Sequence, residues 1–393
     1  MLDRLISNSL LILCGAGLFV AWMPDRTAWR GFEVLVLACL IVWLICWVAG
    51  RGAGAARAAW SPRVLPLAAV ALWGAVQLSM GWSAYPYATR VEVVRWAVYA
   101  AVFFLAFQSF GDERNGGRFR AIAAIYGLAM AVVSIFQHFL GNGKIFWLFE
   151  TAEHADMGPF LNYDHFASFV ALVLPCALVE MLRRRDRRWL FGMIAAVLYA
   201  SVVAGTSRAG SILVTLELLF LVVVLKFSPR LVGALVALAV GLGFVVGWGA
   251  LYDRLRLPDP YAGRREVAAA SVEMCRAKPL KGHGLGTFTL VYPAYAQKDL
   301  GAFVNAAHND WLEWTADGGA PMLLLMLIIA GGAASLVKRV PWAVGVPVVF
   351  LHGLIDFPMQ GRFLPATVFL LSGIAARAAY DRRQSIAPAP GRG

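Results

Sequence analysis

The sequence predicts an all-α membrane protein, a polytopic bundle of about 12 transmembrane helices with one large outer-face loop between the ninth and tenth spans. Three observations lead there. First, 60% of the 393 residues are hydrophobic and 15% charged, with a mean hydropathy of +0.68, which is far more apolar than a soluble domain. Second, the apolar residues come in long blocks. Crossing ~30 Å of hydrocarbon at 1.5 Å per residue takes ~20 residues, and backbone groups in lipid must bond within their own segment, so such blocks are helices. Third, Lys and Arg gather in alternate connections, as positive-inside retention requires. These connections account for the formal charge of +12. A nucleic-acid partner is not expected, because the charges form no basic domain with base-stacking aromatics.

The blocks run over 5–23, 32–50, 64–81, 91–110, 119–140, 163–182, 189–205, 210–226, 230–251, 311–336, 341–357 and 363–380. The first reads as an uncleaved anchor, with no small-x-small site before Pro24. The tenth carries Glu313, Asp317, Gly318, Gly319 and Pro321, and so reads as a partly extramembrane helix, a break, and then the span proper. With the N-terminus inside, the basic run 183–188 and Arg51, Arg57, Arg63, Lys338 and Arg339 all fall on the cytoplasmic side. Both ends are then cytoplasmic. Two outer connections are not minimal, 141–162 and 252–308, and a loop as long as the second is usually functional. Within it, Arg264–Arg276 suits a short amphipathic helix stopped by Pro279. The expected organisation is one bundle over 1–383, with 252–308 carrying part of the site, and a disordered tail over 384–393. Of the five cysteines, four lie in apolar blocks, and no metal-type spacing appears.

Ionisable residues near or inside spans are functional-site candidates, and three positions stand out on the outer face. Arg208 lies in Gly-Thr-Ser-Arg-Ala-Gly, in a connection so short that it sits at or below the membrane boundary. Its guanidinium offers five donors and keeps its charge, which suits an anion. The plainer reading is a snorkelling interfacial arginine. Arg264 and Arg265 open the loop helix, where free backbone N–H groups also attract anions; a solvated face is the plainer reading. His308 ends the loop where the apolar block resumes, and an imidazole is matched to proton transfer near neutral pH. Together they suit displacement of a phosphorylated leaving group by a hydroxyl, with arginines on the diphosphate and a histidine as base. No metal and no cofactor are expected. Asp156, Asp164 and His165 form an alternative cluster that a metal could use.

The string Ala-Ala-His308-Asn309 through Gly319 resembles the His-Asn-x9-Gly signature of the O-antigen ligase and polymerase superfamily. Asn162-Tyr-Asp-His165-Phe-Ala, Thr206-Ser-Arg208-Ala-Gly, Gly263-Arg264, Pro279-Leu-Lys-Gly282-His-Gly284-Leu-Gly286 and His352-Gly-Leu-Ile-Asp356 resemble further family segments in order and spacing. The sequence departs at Ala268, where members often have Trp, and at Met322, where ligases tend to carry Gly, Thr or Tyr. The resemblance implies a GT-C-like bundle in the bacterial inner membrane with its site facing the periplasm. The donor would be an undecaprenyl-diphosphate-linked glycan and the acceptor a hydroxyl of lipid A-core or of a growing glycan, with membrane lipids around it. Arg208, Arg264 and Arg265 would hold the diphosphate and His308 would be the base, with Asn309, His165 and Asp356 in support. Polymerase remains open beside ligase, and a protein acceptor is a third choice. From another class, a transporter or lipid flippase would use ionisable groups at mid-membrane, for which Glu180 and Glu217 are the candidates.

Overall fold

The computed structural model describes residues 2–23, 27–50, 59–111, 113–150, 157–246, 252, 256, 262–301 and 303–386. It is all-α, 77% helical, without strands among the described residues. Each expected apolar block holds a helix. These are α1 Leu2–Phe19, α2 Thr27–Val48, α3 Val64–Ser79, α4 Pro86–Ser109, α5 Glu113–Leu140, α6 Tyr163–Arg183, α7 Arg188–Ala204, α8 Arg208–Val224 and α9 Pro229–Val246. The loop holds α10 Ala262–Ala277 and α11 Phe288–Val291; α12 Asp310–Val337, α13 Gly345–His352 and α14 Phe363–Ile386 follow.

Eight of these helices are long and apolar enough to cross a membrane, and the chain is a multi-pass membrane protein. The remaining apolar blocks give shorter helices. The 16 residues of α3 span about 24 Å at the helical rise. The block expected over 341–357 becomes a 3-10 turn, Pro341–Val344, and the eight residues of α13. Helix α13 stops at His352, and in the turn that follows Leu354 and Ile355 are exposed while Asp356 is fully buried. At the C-terminus α14 continues to Ile386, past the boundary expected at 383; residues 387–393 lie outside the described residues.

The central helix is α6, enclosed by α5, α7, α8 and α13 and buried over nearly its whole length. The opposite case is α2, whose Ile41, Val42, Ile45 and Val48 are exposed, as lipid-facing residues are. Glu180, near the end of α6, is bonded by Arg120 Nε at 2.8 Å and Arg184 Nε at 2.6 Å. It is therefore the compensated anion of a buried ion pair.

The break expected in the tenth block is real: Gly319 has φ 66 and ψ −165, inside α12. A break in an apolar helix frees polar groups that lipid cannot satisfy, and the 279–284 segment and two side chains of α3 satisfy them. His283 N donates to Ala316 O at 3.0 Å, Gly284 N to Asp317 O at 2.9 Å, and Ala320 N to Pro279 O at 2.8 Å. Gln77 Nε2 reaches Asp317 O at 2.9 Å and Trp73 Nε1 reaches Gly318 O at 2.8 Å. Contact is so close that a Cβ on Gly282 would lie 2.2 Å from Asp317 O, at a φ of +64. The expected loop helix is α10. Its Val267, Ala270 and Met274 pack with Phe288 and Tyr292 in a separate small core.

Candidate active site

Three helices start at one place, each with its first turn capped by a side chain. Asn162 Oδ1 accepts from Asp164 N at 2.7 Å, Ser207 Oγ from Gly210 N at 2.9 Å, and Asn309 Oδ1 from Leu312 N at 3.0 Å. Asn and Ser at these positions satisfy one of the N–H groups a helix leaves open. The N-termini of α6, α8 and α12 carry partial positive charge, which favours an anion.

Contacts between distant segments bring these starts together. Ser207 Oγ donates to Asp164 Oδ1 at 2.5 Å, joining α8 to α6. Arg264, from α10, donates through Nη1 to Ile355 O at 2.9 Å. Its Nη2 lies 3.5 Å from Asp164 Oδ2 and 3.8 Å from Asp356 Oδ2. His352 Nε2 is 3.9 Å from Asp164 Oδ1, and its Nδ1 is 2.7 Å from Ser168 Oγ. Two buried carboxyl groups therefore face one guanidinium. The bond to Ile355 O is the shorter of these contacts, and the two carboxyl groups approach the same Nη2 at longer range.

His308 Nδ1 is 3.7 Å from Asp356 Oδ1, beyond hydrogen-bond range. The ring meets Phe357 edge-on at 4.8 Å, and His165 meets the same phenyl ring, also at 4.8 Å. Burial and then the Arg264 charge hold the His308 imidazole down at about 4, against the pull of Asp164. It is therefore neutral at pH 7 and able to accept a proton. The backbone at His308 is left-handed, with φ 49, and so is that of Thr206 at φ 56, two residues before Arg208. Such strain, about 1–2 kcal/mol per non-glycine residue, gathers at functional sites.

The 308–310 turn is braced against the turn after α13. Asn309 Nδ2 donates to Leu354 O at 2.7 Å, and Asp310 N to Gly353 O at 2.8 Å. The Asp310 carboxylate accepts from Met359 N and from Gln360 Nε2, both at 3.1 Å. Asn309 thus acts on both sides of the site, capping α12 and fixing the turn that carries Asp356.

Of the residues singled out in the sequence, Arg264, His308, Asn309 and Asp356 meet directly or through one intermediary. Arg208 is the first residue of α8, partly buried, directly after the Ser207 that bonds Asp164. Arg265 is exposed on α10 beside Arg264. His165 reaches the site through Phe357. In the alternative acidic cluster, Asp156 lies outside the described residues. Asp164 instead groups with His352 and Asp356, whose ligand atoms all lie within 4.8 Å of one another and could hold a metal ion. Ser207, Ser168, His352 and the Ile355 carbonyl were not singled out for the site. The short His352-to-Asp356 motif was the signal for two of these positions.

Residues 199–327 match the family model described as O-antigen ligase, and the match supports membership of the O-antigen ligase superfamily. No curated protein matches the chain. The matched range contains Arg208, Arg264, His308 and Gly319; Asp164 and Asp356 lie on either side of it.

Proposed function

We propose, from the premise of O-antigen ligase superfamily membership, that this chain is an inverting glycosyltransferase working at the periplasmic face of the bacterial inner membrane. It moves a glycan from undecaprenyl diphosphate to an acceptor hydroxyl on lipid A-core or on a growing polysaccharide. The observation that carries the reading is the Arg264 guanidinium, set against Asp164 and Asp356, with His308 also beside Asp356. The diphosphate lies on Arg264, Arg208 and Arg265 and over the three helix N-termini. The acceptor oxygen attacks the anomeric carbon from the face opposite the diphosphate. The bond to the diphosphate oxygen breaks, and its electron pair leaves with the diphosphate. The hydroxyl proton passes to the neutral imidazole of His308. Nδ1 faces Asp356, so Nε2 is the accepting atom.

The anionic leaving group also lifts His308. Once the diphosphate neutralises Arg264, the charge that helps burial hold the imidazole down is cancelled, and its basicity rises when the acceptor is in place. The reaction is metal-independent in this reading, because Arg264 puts a permanent cation against Asp164 and Asp356, the two acids a metal would need. Addition of EDTA then leaves the rate unchanged, and a loss restored by a divalent ion refutes this part.

The main test replaces His308→Ala and Arg208→Ala separately and follows surface polysaccharide on gels. Normal glycan in both variants, at normal protein level, would sink the mechanism. A deletion strain separates ligase from polymerase. Lipid-linked polymer accumulating while lipid A-core stays uncapped indicates ligase; single-repeat caps indicate polymerase. The carrier reading loses Glu180 to its ion pair with Arg120 and Arg184, which leaves Glu217 as its one mid-membrane acid.

A further inference from the structure

The far end of the bundle holds a cavity that glycosyl transfer does not use. It is a groove of about 410 Å³ walled by Leu67 of α3, Phe103 of α4, Ile329 and Leu336 of α12 and Phe369 of α14, with Arg63 and Arg383 among its lining residues. Its size is that of a small-ligand site, roughly 300–1,000 Å³. Arg63 precedes the first residue of α3, while Leu336 and Arg383 fall in the last turns of α12 and α14. The candidate active site sits where α12 and α14 begin, roughly 35 Å away along α12 at the helical rise.

Two features define the occupant. The wall opens outward, since Ile328, which also lines the groove, is 47% exposed on a helix with little of its apolar length buried. An outward-facing apolar wall on a membrane helix meets acyl chains. The mouth is cationic. Arg63 is positioned by Nη2 on Ser335 Oγ at 3.0 Å and Nε on Gly332 O at 3.4 Å. Burial, then the charges of Arg383 and Arg339, press its pKa down, so the charges acting on it are positive too. Asp381, the acid near this end of α14, is engaged with Arg377 at 2.9 Å. A basic mouth over an apolar groove between membrane helices recognises an acidic headgroup.

We propose that this groove binds an acidic glycerophospholipid, with one acyl chain along the α3–α4–α12–α14 wall and the headgroup phosphate on Arg63 and Arg383. The phosphate relieves the repulsion among the arginines, and the chain replaces disordered lipid contacts with packed ones, so the lipid ties the ends of α3, α12 and α14 together. The proposal requires that the chain sit in a membrane and does not depend on the glycosyltransferase reading.

The test uses the full chain in neutral detergent, with thermal unfolding and native mass spectrometry against phosphatidylglycerol, phosphatidylcholine and inorganic phosphate. Phosphatidylglycerol is expected to raise Tm and to bind at least about tenfold more tightly than phosphatidylcholine. Inorganic phosphate should leave Tm unchanged, because it lacks the chain. Two variants probe the two halves. Arg383→Ala removes an exposed arginine and should weaken phosphatidylglycerol by about fivefold or more while the lipid-free Tm stays put. Gly332→Leu fills the groove, since a Cβ there meets nothing within 4 Å, and should abolish binding while leaving the arginines in place. Equal affinity for the two lipids, an equal Tm rise with inorganic phosphate, or wild-type phosphatidylglycerol binding in both variants would each overturn the proposal.

Discussion

Replacing Arg264 with Ala tests the centre of the mechanism, and its size follows from the contacts. Among its contacts, Arg264 donates to Ile355 O at 2.9 Å and lies 3.5 and 3.8 Å from Asp164 and Asp356. The mechanism places this guanidinium on the diphosphate. Losing a positioned donor from a developing negative charge costs about 2.7–4 kcal/mol, or 10²–10³ in rate. Arg264 keeps 29% of its side chain exposed, so solvent screens part of its field, and the lower half of that range applies. Arg264→Ala is therefore expected to slow transfer about 100-fold, and Arg264→Lys about tenfold, since lysine keeps the charge but not the fork. The assay is transfer from a lipid-diphosphate donor to acceptor by purified protein in proteoliposomes, scored by gel at matched protein levels. A rate for Arg264→Ala within about threefold of wild type would show that the guanidinium does not bear on the transition state.

Three further expectations concern the same surroundings. The free enzyme's His308 is held at about 4 and must be unprotonated to act. The acid limb of kcat/KM should therefore stay level from about pH 8 to about pH 5.5 and fall only as pH nears 4, with the limb of kcat displaced upward once diphosphate is bound. A kcat/KM that halves near the ordinary histidine value of about 6.5 would contradict the burial argument. Gly282→Ala puts a Cβ 2.2 Å from Asp317 O at a φ of +64, a loss of more than about 2 kcal/mol that thermal unfolding in detergent should register as a lower Tm; an unchanged Tm would mean that the loop does not clamp the break. Asn309→Ala should lose the α12 cap, about 1 kcal/mol, and the tie to Leu354 O as well. Asn309→Asp keeps the capping oxygen and should recover stability without recovering the rate. Full recovery of both would reduce Asn309 to a cap.

What the sequence determined by itself is local. Helices were legible because lipid enforces internal backbone bonding, so a run of apolar residues leaves few alternatives. The break at Gly319 was legible for the same reason in reverse, since Gly-Gly-Ala-Pro cannot continue a helix smoothly. The helix in the loop, and Arg208, Arg264 and His308 as candidates, followed from residue type and position. Tertiary structure decided the rest. Helix length was one such matter: α13 stops after eight residues because Gly353 to Phe357 must turn to meet Asn309 and Asp310, a demand made from 45 residues away. Partnership was the other. Asp164 meets Arg264 across 100 residues, and Ser207 meets Asp164 across 43. Gln77 closes the break in α12 across 240 residues. Hydrophobic periodicity reports which face of a segment leaves water. It carries no record of which distant polar group a buried polar group will meet, because that choice is made only when the helices pack and each such group must find a partner.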